Sequence, residues 1–211
     1  MTTNLEQKLR NHPMVCLTDT ELAAILDVAD HQKYGQIKRA AKKGALIHVR
    51  RGLYCLGNQL TVKKPHPFVL AQEIYWPSYL SLETALAYYG LIPEAVYTIT
   101  SVTTKRTKEF QTHFGNFSYQ KLPTNNFFTE VKLIKENDYS FFIALPWKAI
   151  TDYVYCNKKN WQGLDPLLQD LRINLDDLPQ LSLEKTRVLS AFYQSTRIEK
   201  FLCGIKKELK L

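Results

Sequence analysis

The sequence predicts an α+β fold in two parts divided near residue 62: a small, mainly helical unit over residues 1–62 and a mixed α+β domain with C-terminal helices over residues 63–211. Three observations carry this. The front of the chain orders three short helical stretches before a β-hairpin; Lys63-Lys64-Pro65-His66-Pro67 then breaks all periodicity; and beyond it β-prone runs alternate with capped helical stretches.

Leu5 to Arg10 reads as a short amphipathic helix. A second helix starts at Thr18, which caps it, with Asp19 and Glu21 in the first turn and Leu22, Ala23, Ile25 and Leu26 turned inward. Asp30 caps a third helix over His31 to Lys43. Gly44 ends it, because glycine readily takes the left-handed conformation that closes helices. Leu46-Ile47-His48-Val49-Arg50 and Leu53-Tyr54-Cys55-Leu56 are β-prone runs joined through Arg51-Gly52. Helix, helix, helix, hairpin is the order of a winged helix-turn-helix.

X-Pro steps favour extended backbone, so Pro65 and Pro67 mark a linker into the second domain. There Phe68 to Tyr75 and Ser81 to Tyr89 are helical, the latter with Ser81 as cap and Gly90 as stop. Val96 to Thr103, Asn116 to Leu122, Glu130 to Lys135 and Tyr139 to Leu145 are strands by β-branched and aromatic enrichment, and the sheet is expected to be mostly antiparallel. Pro146 begins a helix to Asn157, and Asp165 to Leu171 and Leu183 to Leu209 are helical again.

Composition removes several classes. Hydrophobic residues at 45% and charged residues at 23% fit an ordered globular chain of 211 residues rather than disorder or low complexity. No apolar run approaches the ~20 residues of a membrane span, and Met1-Thr2-Thr3-Asn4-Leu5-Glu6 lacks a signal peptide's apolar core, so a soluble, cytoplasmic protein without a membrane partner is expected. Cys16, Cys55, Cys156 and Cys203 lie far apart and are expected to be free buried thiols. The five histidines form no ligand spacing with cysteines or carboxylates, so no metal and no cofactor is expected.

Charge is concentrated at the front. Residues 1–64 hold 11 basic and 5 acidic side chains, and between His31 and Arg51 there are seven basic residues and no acidic one. On a wheel advancing about 100° per residue, Tyr34, Ile37, Ala40 and Ala41 form a core-facing stripe. The opposite arc collects His31, Gln32, Gly35, Lys38, Arg39, Lys42 and Lys43, with Gln36 beside it and Lys33 on the same helix. Such a face suits the major groove of double-stranded DNA, where glutamine bonds adenine, arginine bonds guanine and lysines meet phosphates. Arg50 and Arg51 lie where a wing tip would touch phosphate or the minor groove. Tyr54 is expected in the core.

Enzymatic signals are few. Glu130-Val131-Lys132 with Glu94 upstream resembles a carboxylate-x-lysine nuclease arrangement only by a short triplet, which an alternating strand produces without function. No G-x-S-x-G, P-loop or dinucleotide fingerprint occurs. The expectation is a binding protein rather than an enzyme, with no catalytic residue; the alternatives are a solitary ligand-sensing transcription factor and a metal-dependent nuclease.

Three segments in order carry a family resemblance: Arg50-Arg51-Gly52-Leu53-Tyr54, then Tyr79-Leu80-Ser81-Leu82-Glu83-Thr84-Ala85-Leu86-Ala87-Tyr88-Tyr89-Gly90-Leu91-Ile92, and Ile143-Ala144-Leu145-Pro146-Trp147-Lys148-Ala149-Ile150-Thr151-Asp152. Together they resemble the AbiEi family of abortive-infection, type IV antitoxins and transcriptional regulators, over roughly residues 5–155. The resemblance implies an N-terminal winged helix that binds the operator of its own operon, a C-terminal antitoxin domain, and a functional partner in a nucleotidyltransferase-like toxin that need not bind it. Tyr89 stands where many members have histidine, so no role of that histidine transfers. Lys148 and Asp152, four apart on one helix, read equally as an intrahelical ion pair.

Overall fold

The computed structural model describes residues 4–10, 12–26, 30–123, 125–136 and 139–211, with the side chains of residues 4, 5 and 30–33 outside that description. The front segment runs α1 (Asn4–Arg10), β1 (Cys16–Thr18), α2 (Asp19–Leu26), α3 (Asp30–Lys42), β2 (Leu46–Arg50) and β3 (Leu53–Leu56). Helix α2 opens on a reciprocal capping box: the Glu21 amide donates to Thr18 Oγ1 at 3.3 Å, and the Thr18 amide donates to the Glu21 carboxylate at 2.7 Å. The Lys8 ammonium donates to the Ile25 carbonyl at the far end, where the helix dipole is negative. Gly44 closes α3 at a φ of 74°. Gly57 lies so close to the Gly44 carbonyl that a Cβ would fall 1.9 Å from it, so only glycine fits there.

Strands β1, β3 and β2 form an antiparallel sheet in that order. Strand β1 was not expected, and it corrects the cysteine reading: its register sets Cys16 opposite Cys55, and the two are joined in a disulfide. A separation of 39 residues conceals a contact that only strand pairing makes. Cys156 is half-buried and Cys203 exposed.

A small core of Leu9, Leu17, Leu22, Leu26, Ile37, Ala40, Ala45, Leu46, Leu56 and Leu60 holds the front helices to one face of this sheet. The other face belongs to the larger core, which includes Cys16, Val49, Leu53 and Cys55. Alternation along β3 therefore splits its side chains between two cores. Tyr34, expected on the apolar stripe, is instead 59% exposed, because the small core engages α3 through Ile37 and Ala40, one turn further on.

The larger part continues with α4 (Pro67–Ile74), β4 (Ser78–Leu80), α5 (Leu82–Tyr88), β5 (Thr98–Thr103), β6 (Lys108–Thr112), β7 (Gly115–Lys121), β8 (Val131–Glu136), β9 (Tyr139–Ala144), α6 (Pro146–Cys156), α7 (Asp165–Gln169), α8 (Leu183–Tyr193) and α9 (Thr196–Glu208). Its sheet has the order β6-β7-β5-β4-β9-β8. Three neighbouring pairs are antiparallel, but β4 with β9 and β5 with β7 are parallel, so the sheet is mixed. Strands β4 and β6 were not among the strands expected, and β6 lies between the parallel partners β5 and β7 in sequence. Helix α4 packs on the face bearing Tyr119, whose hydroxyl donates to the Ala71 carbonyl at 2.5 Å. Tyr79 leaves the opposite face toward α6. The helix expected from 183 to 209 breaks at Gln194, which takes a left-handed φ of 48°. No helix among the described residues is long and apolar enough to cross a membrane.

Candidate nucleic-acid interface

Helix α3 contacts α2 and rests on β2. With Ile37 and Ala40 turned into the core, the 3.6-residue period sends Lys38, Arg39, Lys42 and Lys43 into solvent, and all four are exposed. Gln36 is half-buried beside them, and Gly35 opens onto space that a Cβ would not crowd. The side chains of His31, Gln32 and Lys33, and that of the expected cap Asp30, lie outside the described residues. Three cations on α3, and Lys43 just past its end, thus stand together with their heads in water, the arrangement that attracts a polyphosphate backbone.

The hairpin divides its two arginines. Arg51 is exposed at the turn, where Gly52 takes a φ of 79°. Arg50 turns back: its guanidinium donates to the Arg51 carbonyl at 2.6 Å and to the Glu73 carbonyl on α4 at 3.3 Å, and its buried Nε has no hydrogen-bond partner among the described residues. A register shift between His48 and Arg50 accompanies this turn. Arg50 therefore ties the hairpin to α4 rather than extending from the apex. Tyr54 is half-buried against the small core and meets His48 edge to face. Burial, followed by Asp19 and Tyr34, pushes its hydroxyl pKa up.

A second cluster lies wholly inside the larger core. The Lys148 ammonium donates to Asp152 Oδ1 at 2.5 Å and to the Tyr193 hydroxyl at 2.9 Å; Tyr193 in turn donates to Oδ1. Oδ2 accepts from Ser81 Oγ at 2.6 Å and from the Tyr79 hydroxyl at 3.3 Å. The ammonium also sits 3.9 Å from the Phe192 ring centroid. Lys148 and Asp152 are both 0% exposed. Burial pulls the Lys148 pKa down, opposed by Asp152. Burial, with Asp152 next, pushes the Tyr79 and Tyr193 hydroxyls well up. Two of the three sequence segments singled out above, 79–92 and 143–152, meet here. The spacing of Lys148 and Asp152 pointed to their pairing; nothing in it pointed to Ser81 or Tyr193.

No family model matches the chain, and no curated protein does.

The carboxylates of the nuclease alternative are engaged elsewhere. Glu130 lies 3.3 Å from the Lys185 ammonium, and Glu94 pairs with Arg172. Lys132 is exposed on β8, an outer strand of the sheet. Among the described residues, no three His, Cys, Asp or Glu side chains group as metal ligands.

Proposed function

We propose that this chain is a DNA-binding transcriptional regulator, with the segment from α1 to β3 acting as a winged helix-turn-helix and α3 as its reading helix. The observation that carries the reading is the exposed set Lys38, Arg39 and Lys42 on one face of α3, continued by Lys43 just past its end, opposite the buried Ile37 and Ala40. Exposed Arg51 on the adjoining hairpin supplies a further phosphate contact. Within that reading, residues 63–211 form the effector domain. The resemblance of the three segments to AbiEi-type antitoxins makes the most specific version a cytoplasmic type IV antitoxin that represses its own operon, whose toxin is a nucleotidyltransferase-like protein.

The test is a binding titration of the full chain with promoter DNA from its own operon and with a random duplex of equal length. The promoter is expected to bind more tightly. About six phosphate contacts would weaken binding on the order of 10³ between 50 and 200 mM salt. Equal affinity for both duplexes, or an affinity indifferent to salt, overturns the proposal.

A further inference from the structure

A cavity of about 230 Å³ lies in the seam between the front segment and α4. Met14 and Val15 line it from the lead-in to β1, and Pro65, Val69 and Leu70 line it from the linker and α4. Its walls are therefore mostly apolar, as ligand cavities usually are, while its polar groups are few and differ in charge.

Glu73 is the polar group left open. Among the described residues no donor reaches its carboxylate, although Arg50 is near: that guanidinium is held by two carbonyls, one of them the backbone of Glu73 itself. Burial, reinforced by Glu21 and only partly opposed by Arg50, pushes the Glu73 carboxyl pKa up, the sign of an undercompensated acid. The other polar groups do not compete for the same role. Lys63, which is exposed, already has an interaction of its own. His66 accepts the Phe68 amide proton at Nδ1 over 3.3 Å, and burial pushes its pKa down, which keeps the ring neutral. A guest in this cavity thus meets apolar walls and one carboxylate in need of a cation.

Size narrows the guest further. A cavity of about 150 Å³ holds benzene, so this one accommodates a ring with a short chain, about nine non-hydrogen atoms. We propose that the cavity is a binding site for a small organic monoamine, whose apolar body lies against Met14, Val15, Val69 and Leu70 and whose ammonium pairs with Glu73. The site is distinct from α3 and does not depend on the DNA-binding reading.

The experiment is calorimetric titration of the full chain at pH 7 with 2-phenylethylamine, beside 2-phenylethanol and phenylacetate as neutral and anionic counterparts. The amine is expected to bind about tenfold or more tightly than the alcohol, because a charge-assisted hydrogen bond is worth at least that factor. Phenylacetate should bind weakest. Glu73→Gln, nearly isosteric, should lower the amine to the level of the alcohol and leave the alcohol within about twofold, with a thermal melt confirming the fold. Binding of all three compounds with equal affinity, preference for the carboxylate, an amine affinity unchanged by Glu73→Gln, or no amine binding up to roughly 10 mM each overturns the proposal. Because the titration contains no DNA, its failure leaves the regulator reading standing, and failure of promoter binding leaves the cavity standing.

Discussion

Helices α3 and α6 both carry lysines, and they use them in opposite ways. On α3 the cations Lys38, Arg39 and Lys42 stand in water, contribute little to stability and remain available to a partner. On α6 the ammonium of Lys148 is sealed from solvent against Asp152, Tyr193 and the Phe192 ring, where no partner reaches it. The lesson is that a positive side chain acquires its role from its dielectric surroundings. In water it is a long-range attractor, screened by salt. In the core it organises whatever satisfies it, here β4, the cap of α5, and helices α6 and α8.

The sharpest way to break this comparison is Asp152→Ala, which leaves the Lys148 charge buried and the Ser81, Tyr79 and Tyr193 hydroxyls without their acceptor. A loss of about 3–5 kcal/mol in urea unfolding is expected. The double replacement Lys148→Met with Asp152→Leu should cost less than Asp152→Ala alone, since both charges leave together. A loss under about 1 kcal/mol for Asp152→Ala would place the pair on the same footing as the surface charges.

Next in size is Arg39→Ala on the exposed face, expected to cost ~1 to 3 kcal/mol on promoter DNA and little on a random duplex, with unfolding unchanged within about 0.5 kcal/mol. Equal loss on both duplexes would make Arg39 a phosphate contact. Lys42→Ala, nearer the helix end, should weaken both duplexes alike and lower the salt slope by about one. No loss on either DNA for both variants would remove α3 as the reading element.

The smallest effect concerns pH. Burial lowers the His66 pKa below its ordinary 6.5, so the unfolded chain binds more protons than the folded one as pH falls through that value. Stability from this group is therefore undiminished above pH 6.5 and declines below it, levelling off beneath the folded-state pKa. Thermal melts between pH 7.5 and 5.5 should show a steeper decline for the native chain than for His66→Asn. Parallel profiles would mean that His66 is ordinary in its surroundings despite its ring contacts with Phe68 and Phe141.

Much of the local structure was determined by the sequence itself. Thr18 and Glu21 specify the start of α2, Gly44 the end of α3, Pro146 the start of α6, and the β2 and β3 spans follow from their runs of β-prone residues, because caps, φ preferences and side-chain period act over a few residues. The exposed face of Lys38, Arg39, Lys42 and Lys43 was legible for the same reason. Tertiary structure alone decided the rest. Strands β1 and β4 have three residues each and β6 reads polar, so nothing local marks them, yet their pairings determine the mixed sheet and bring Cys16 to Cys55. Arg50 looked like a wing tip and is turned onto α4, because a carbonyl 23 residues away accepts its proton. The same holds for the buried charge: an i, i+4 spacing proposes a pair on any helix, but only packing decides whether water surrounds it or Ser81, Tyr79 and Tyr193 do.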